Sequence, residues 1–342
     1  MRPENFCRVS RGSLGVYLVL KKFCIGDYVV VPWNICPDVI FAIKEADKIP
    51  YFVNYSSKNE PLTNQILTSI PAHITCLINV HIYGAFHTIT NEMRNRFSLI
   101  IDDAAQAIGS KSDMLNAGFS GNFGIFSFGN TKQYNLGAGG LIYAKEKNDA
   151  QVLEDESHKC DILSDEEYQA IRLRNSRAIK SKLKLFEKKG MIDWRTHGLD
   201  SREIFKNYDE VFPKTELVNR LLTYNPKPRI KEALTFTEKL IDLNLQCDTL
   251  SPEDNVWRIV AKPIKFDFDL YITAFQHLRR KGYPCSNWYY PSNEIFGYKI
   301  NGNYKIKLDQ ICRFQFTIDS IDEGFSVLNK EEILSIMKKY YR

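Results

Sequence analysis

The stretch "FSLIIDDAAQAIG", residues 97–109, decides how this chain reads. An apolar run of β type ends on two adjacent carboxylates, Asp102 and Asp103, and small residues follow. Like charges side by side repel, so a strand that ends this way has a use for at least one of them. Successive strand residues point to opposite faces, which predicts one carboxylate on each side of a sheet. Ala104 and Ala105 leave room at the strand tip for something flat.

Similar β-type runs surround this one: "DYVVVPW" (27–33), "PYFVNY" (50–55), "HITCLINVHIYG" (73–84), "FGIFSFG" (123–129) and "GGLIYAK" (139–145). They are rich in Val, Ile, Phe and Tyr, and several are apolar on both faces, as a helix-covered parallel sheet requires. Between them, "SLGVYLVLKKF" (13–23) and "CPDVIFAIKEA" (36–46) repeat apolar residues at helical steps. The pattern is α/β with right-handed crossovers, and ligands in such sheets sit at the carboxyl ends of the strands. Beyond about residue 150 the chain turns charged and helical. Then come helical segments over 215–243 broken by "NPKP" (225–228), strands in "VWRIVAKPIKF" (256–266) and "CRFQFTIDS" (312–320), and helices over 269–281 and 330–341. This predicts a large domain over 1–225 and a smaller α+β domain over 226–342.

Composition narrows the function. A formal charge of +5 suits an anionic small molecule but is too diffuse for nucleic acid. The densest basic run, "KSKLKLFEKK" (180–189), reads as a solvated helix face. No segment approaches a membrane span, and "MRPENFCRVS" lacks the apolar core of a signal peptide, so a cytoplasmic setting is expected. Eight scattered cysteines form neither a C-x-x-C pair nor a zinc-type cluster, which predicts free thiols and no metal.

The glycines of "GAGG" (137–140) precede a strand instead of opening a helix, which disfavours a dinucleotide-binding oxidoreductase. Lys132 lies in "FSFGNTKQYNLGAGG", between a strand and a glycine-rich turn, and so at the same sheet edge as Asp103. A lysine and a carboxylate there, with small residues between them, is what pyridoxal phosphate requires. The lysine forms the Schiff base, and the acid pairs with the pyridinium nitrogen. Ser127 and the backbone N–H groups of Gly12 and Ser13, where a loop opens a helix, can receive a phosphate.

With those residues in place, "IIDDAAQAIG" and "FGIFSFGNTKQYNLGAGGLIYA" (123–144) resemble the signature of the DegT/StrS-type sugar aminotransferases, fold-type I pyridoxal-phosphate enzymes. "SRGSLGVYLVL" (10–20), "VPWNICPDVI" (31–40) and "INVHIYGAF" (78–86) are similar to further family blocks in the expected order. The likeness covers about residues 8–145 and continues faintly through "LRNSR" (173–177) and "WYYPSN" (288–293). It implies Lys132 as the Schiff-base lysine, Asp103 as the pyridine partner and Gln106 beside the cofactor ring. It also implies Ser127, Gly12 and Ser13 as phosphate-binding positions, and Cys36 where family members stack an aromatic over the ring. Trp33 is offset from that position.

Three departures accompany the resemblance. Besides Cys36, "YDEVFPKTE" (208–216) lacks the Asn-Arg pair that reaches the partner subunit's phosphate. Only about ten residues precede "SRGS", so the family's N-terminal segment is expected to be short. His81 and Tyr290 are substrate-contact candidates; each also reads as structural, His81 as a strand-end histidine satisfied by backbone and Tyr290 in an interdomain aromatic loop.

The function the resemblance implies is transfer of an amino group, from glutamate, to a nucleotide-linked keto sugar in amino-sugar and polysaccharide biosynthesis, by a homodimer with its site at the interface. Two rivals share the fold. Dehydratase relatives carry histidine at the lysine position, which Lys132 opposes. A non-enzymatic relative would keep the fold as sensor or scaffold.

Overall fold

The computed structural model describes residues 2–55, 62–112, 116–129, 132–160, 162–164, 166, 167, 170, 173, 207, 208, 213–224, 230–252, 254–283, 285–287, 291–301, 304–317 and 327–341. Its large sheet has seven strands: β1 (Phe6–Val9), β2 (Tyr28–Pro32), β3 (Ile49–Val53), β4 (Cys76–Val80), β5 (Leu99–Asp103), β6 (Phe123–Ser127) and β7 (Gly140–Ala144). Their spatial order is β1-β7-β6-β5-β4-β2-β3. Strands β2 to β6 pair in parallel, while β7 runs antiparallel to both β6 and β1. The carboxyl ends of β1, β2, β4, β5 and β6 and the start of β7 therefore meet along one edge.

Helix α1 (Gly12–Phe23) covers that sheet near β6 and β7. Its buried stripe includes Leu14, Val16, Leu18, Val19 and Leu20, each contributing roughly 1.5–3 kcal/mol when fully withdrawn from water. Two glycines in its first turns cost about 1 kcal/mol each relative to alanine, yet they permit close approach. A β-carbon on Gly15 would sit 3.0 Å from Ile142 and 3.2 Å from Ile125. Lys21 and Lys22 close the last turn, where cations favour the helix dipole. Helix α2 (Pro37–Glu45) starts with proline in its first turn, where the missing N–H is harmless.

The second body is a four-stranded antiparallel sheet, ordered 245–247, 258–263, 314–317, 285–286. Helices Ile230–Ile241, Phe268–Arg280 and Val327–Tyr340 pack its own apolar core, around Phe236, Tyr271, Phe314 and Phe316. Helix Lys214–Thr223 instead buries Leu217, Val218 and Leu221 against Phe6, Phe126 and Phe128 of the first body.

Three elements differ from the sequence expectations. β1 was not anticipated: four residues, with Phe6, Cys7 and Val9 buried, pair across β7. The strand expected through residue 84 stops at Val80. The chain then turns through Ile82–Gly84, with Tyr83 at φ +58° and Gly84 at φ +95°. That turn is held from outside, since the Tyr83 N–H donates to the Gln106 side chain at 3.0 Å. Ala104 does not face open space at the strand tip; it is fully buried with Phe126 and Ala117. No helix among the described residues is long and apolar enough to cross a membrane.

Candidate functional site

The two carboxylates part at the end of β5. Asp103 lines a cavity of about 190 Å³ at the sheet edge, while Asp102 is fully buried on the other face. Asp102 Oδ1 accepts from the Asn79 amide at 3.0 Å and faces His81 Nε2 at 3.0 Å. Its Oδ2 accepts the Gly118 and Ser120 N–H groups at 2.9 and 3.0 Å. The His87 N–H donates to His81 Nδ1 at 2.9 Å, so the donor nitrogen of that ring is the one turned toward Asp102. Burial alone would raise the Asp102 carboxyl, but His81, Asn79 and the Ser120 N–H outweigh it and hold it below the usual range.

Asp103 has the opposite balance. Burial raises its carboxyl, and the neighbouring Asp102 charge adds to that; the Ala105 N–H and the Lys132 charge oppose them without prevailing. Its Oδ1 accepts the Ala105 N–H at 3.0 Å, and among the described residues no cationic side chain forms an ion pair with it. It is a buried carboxyl that lines the cavity.

Four connections complete the cavity. The β1–α1 connection brings Gly12 and Ser13 at the amino end of α1, where helix N–H groups are open to an anion. Space is tight there. A β-carbon on Gly12 would lie 3.2 Å from Ile125 and 3.3 Å from Ser127, and one on Gly140 would lie 3.0 Å from Gly12 N. Ser127 ends β6 beneath that helix start, and Cys36 caps α2 from the side. Gln106 also lines the cavity, its side-chain oxygen tied to the Tyr83 N–H. Lys132 enters on the loop between β6 and β7, its N–H donating to Gly129 O at 2.9 Å.

Every large-domain residue expected at the cofactor position therefore lines one cavity: Gly12, Ser13, Cys36, Asp103, Gln106, Ser127 and Lys132. His81 does not line it. That ring is fully buried behind Asp102 and stacks on Phe86 at 5.2 Å, which leaves a substrate no access. Tyr290, "KSKLKLFEKK", residues 174–177 of "LRNSR" and residues 209–212 lie outside the described residues. Trp33 is fully buried away from the cavity, 5.2 Å beneath the Arg313 guanidinium. No metal-type cluster occurs among the described residues, and all eight cysteines are free thiols.

Sequence reading missed the contribution of the second body. Trp257, 3% exposed, places its ring centroid 5.5 Å from Lys132 Nζ. Its N–H donates to Tyr83 O at 2.9 Å, and Gln133, beside Lys132, donates to Asn255 O. The only sequence signal was a tryptophan at the start of a β-type run, which reads as core.

These residues fit pyridoxal phosphate on their chemistry. An anion-receptive helix start with two serines nearby, a buried carboxyl and a half-buried lysine share one cavity. The unusual partner is Cys36, a thiol where a ring would be expected.

The chain is similar to several known proteins. A GDP-perosamine synthase of Escherichia coli O157:H7 is 29% identical over 145 residues, covering 41% of this chain and 40% of that protein. A dTDP-3-amino-3,4,6-trideoxy-alpha-D-glucose transaminase of Micromonospora megalomicea subsp. nigra is 28% identical over 152 residues, 42% of this chain and 41% of that protein. The match thus spans about 40% of these relatives' length. Across nearly the whole chain the fold is that of a DegT DnrJ EryC1 StrS aminotransferase from Brucella abortus, with a TM-score of 0.68 and 16% identity over 98% of this chain and 86% of that one. Residues 3–174 match the DegT/DnrJ/EryC1/StrS aminotransferase family, and the chain belongs to it.

Proposed function

We propose that this protein is a pyridoxal-phosphate aminotransferase that moves an amino group from an amino acid, glutamate, to a keto sugar linked to a nucleotide. The observation that carries the reading is the shared cavity of Lys132, Asp103 and the α1 start. Support for the substrate class comes from a relative whose name is that of a dTDP-sugar transaminase. The family's amino-sugar and polysaccharide setting, a cytoplasmic location, a division into domains near residue 225, and a homodimer with its site at the interface belong to the same proposal.

Bound in this cavity, pyridoxal phosphate supplies an electron sink through which an amino group can pass between an amino acid and a ketone. The protein's residues do the rest. Gly12, Ser13 and Ser127 would hold the phosphate, the first two through N–H groups at a helix start. Asp103 would hold a proton on the pyridine nitrogen, a charge-assisted hydrogen bond of roughly 1.5–3 kcal/mol. Lys132 Nζ would carry the cofactor at rest, then take and return the proton beside the transferred nitrogen. Asp102 touches none of these groups; it fixes the strand end that aims Asp103.

The test is an absorbance spectrum of the full chain with pyridoxal phosphate, before and after borohydride, on wild type and Lys132→Ala, followed by assay of 2-oxoglutarate from glutamate. A yellow band fixed covalently on Lys132 and absent from the variant, with 2-oxoglutarate formed, is expected. Cofactor uptake with no 2-oxoglutarate formed from glutamate, whichever keto sugar is added as acceptor, would make this a binding protein. No band in wild type would overturn the reading.

A further inference from the structure

We propose that Trp257 of the second body is the positioning residue for the Lys132 amine. The proposal rests on Lys132 being the reactive group of this cavity. A lysine amine sits on four rotatable bonds, so its location is undefined unless something holds it. Tryptophan offers the strongest π-face to a cation, effective within about 6 Å of the ring, and Lys132 Nζ lies 5.5 Å from this one.

The indole is itself immobilised from three sides. Its backbone N–H is bonded to Tyr83 O at 2.9 Å. The Arg258 guanidinium lies 4.1 Å from the same ring centroid, anchored by Ser286 at 2.9 Å and Gln315 at 2.7 Å. The preceding residues are stitched to the first body. Asp254 accepts the Phe86 N–H at 2.9 Å, and the Asn255 N–H donates to Ser110 Oγ at 2.8 Å. The Asn255 amide donates to Ile108 O at 2.6 Å, and its carbonyl accepts from Gln133, next to Lys132. Gly84 leaves no slack: a β-carbon there would fall 2.2 Å from Asn255 O. The strap 254–257 therefore ties the second body to the lysine loop and to the segment carrying Gln106. The amine's location is thereby set by a domain that contributes no lining to the cavity among the described residues.

Two measurements on the full chain test this. In cofactor-free protein with lysines reductively methylated by 13C-formaldehyde, the Lys132 methyl resonance, assigned through Lys132→Arg, should be shifted by the indole ring current out of the envelope of the other lysines. Trp257→Leu should return it there. In the second, the rate at which apo-protein captures pyridoxal phosphate as the borohydride-fixable form should fall about fivefold in Trp257→Leu and recover to within about twofold in Trp257→Phe. A wild-type resonance inside the common envelope overturns the proposal. Equal slowing by Leu and Phe, with equal loss of melting temperature, overturns it too, since packing alone would do that. If Trp257→Leu does not fold, the wild-type resonance and the Phe rate decide. If wild type captures no cofactor, the proposed function fails, while the resonance still decides the position of Lys132.

Discussion

The two faces of β5 carry the same residue type and opposite electrostatics. Behind the sheet, Asp102 accepts from Asn79 and from the N–H groups of residues 118 and 120, and lies 3.0 Å from His81 Nε2. On the cavity side, Asp103 has the Ala105 N–H and a raised carboxyl. One carboxylate is finished by the fold; the other borders the cavity. The difference teaches that burial does not set the state of a charge, because both residues are buried. The charges and donors that converge on it do.

Asp102→Ala is expected to break the contrast most severely. It strands the amide of Asn79, two backbone N–H groups and His81 without their acceptor, costing about 3–5 kcal/mol in urea unfolding. A loss under about 1 kcal/mol would mean that the back face is no more committed than the front. Asp103→Asn should leave the fold intact and weaken pyridoxal-phosphate retention roughly 10- to 100-fold in equilibrium dialysis.

The pH dependence of the cofactor-free protein should separate the two residues by sign. Asp102, held low, contributes stability above the unfolded carboxylate range near pH 3.9 and loses it as pH falls through its folded value. Asp103, raised, contributes most below that range, and the contribution is lost as pH rises through its folded value. Unfolding free energy in Asp103→Asn should therefore drop less than wild type between about pH 4 and 7. An identical profile would remove the asymmetry.

Smaller effects sharpen the picture. The Tyr55 hydroxyl accepts from Val80 N at 2.9 Å and donates to Val80 O at 3.2 Å, beside Asp103 in the sheet register. Tyr55→Phe should cost about 1–2 kcal/mol by calorimetry, by leaving buried backbone groups unmet. Cys36→Ala, which removes only a thiol from the cavity wall, should change cofactor retention less than about threefold.

The seven-stranded sheet was legible because its strands are apolar on both faces and the candidate site residues sit near where strands end. "DDAAQ" and "NTKQ" announce themselves by charge at an otherwise apolar edge. The separate fates of Asp102 and Asp103 followed from the alternation of strand side chains alone. What stayed hidden was non-local. Nothing in "VHIYG" tells that His81 Nδ1 is occupied by the N–H of His87, which turns the ring away from the cavity. Nothing in "NVWRI" tells that Trp257 lies against Lys132, a contact across 125 positions (257 − 132). β1 escaped because its pairing partner is reached only through the sheet, across more than 130 residues.

The reversed direction of β7 bears on assembly. Because β7 returns antiparallel beside β6, the lysine-bearing segment is closed by a local hairpin, with Ser127 opposite Gly140. Asp103 instead reaches its place through parallel pairing with β4, which needs a crossover of the chain. Contacts of short sequence separation form faster than distant ones, since less loop entropy is lost in closing them. Partners in the β6–β7 hairpin lie 13 to 21 positions apart and those of β4 and β5 lie 23 apart, so the segments that bring Lys132 and Asp103 to this edge close at similar cost in loop entropy, despite their opposite strand directions.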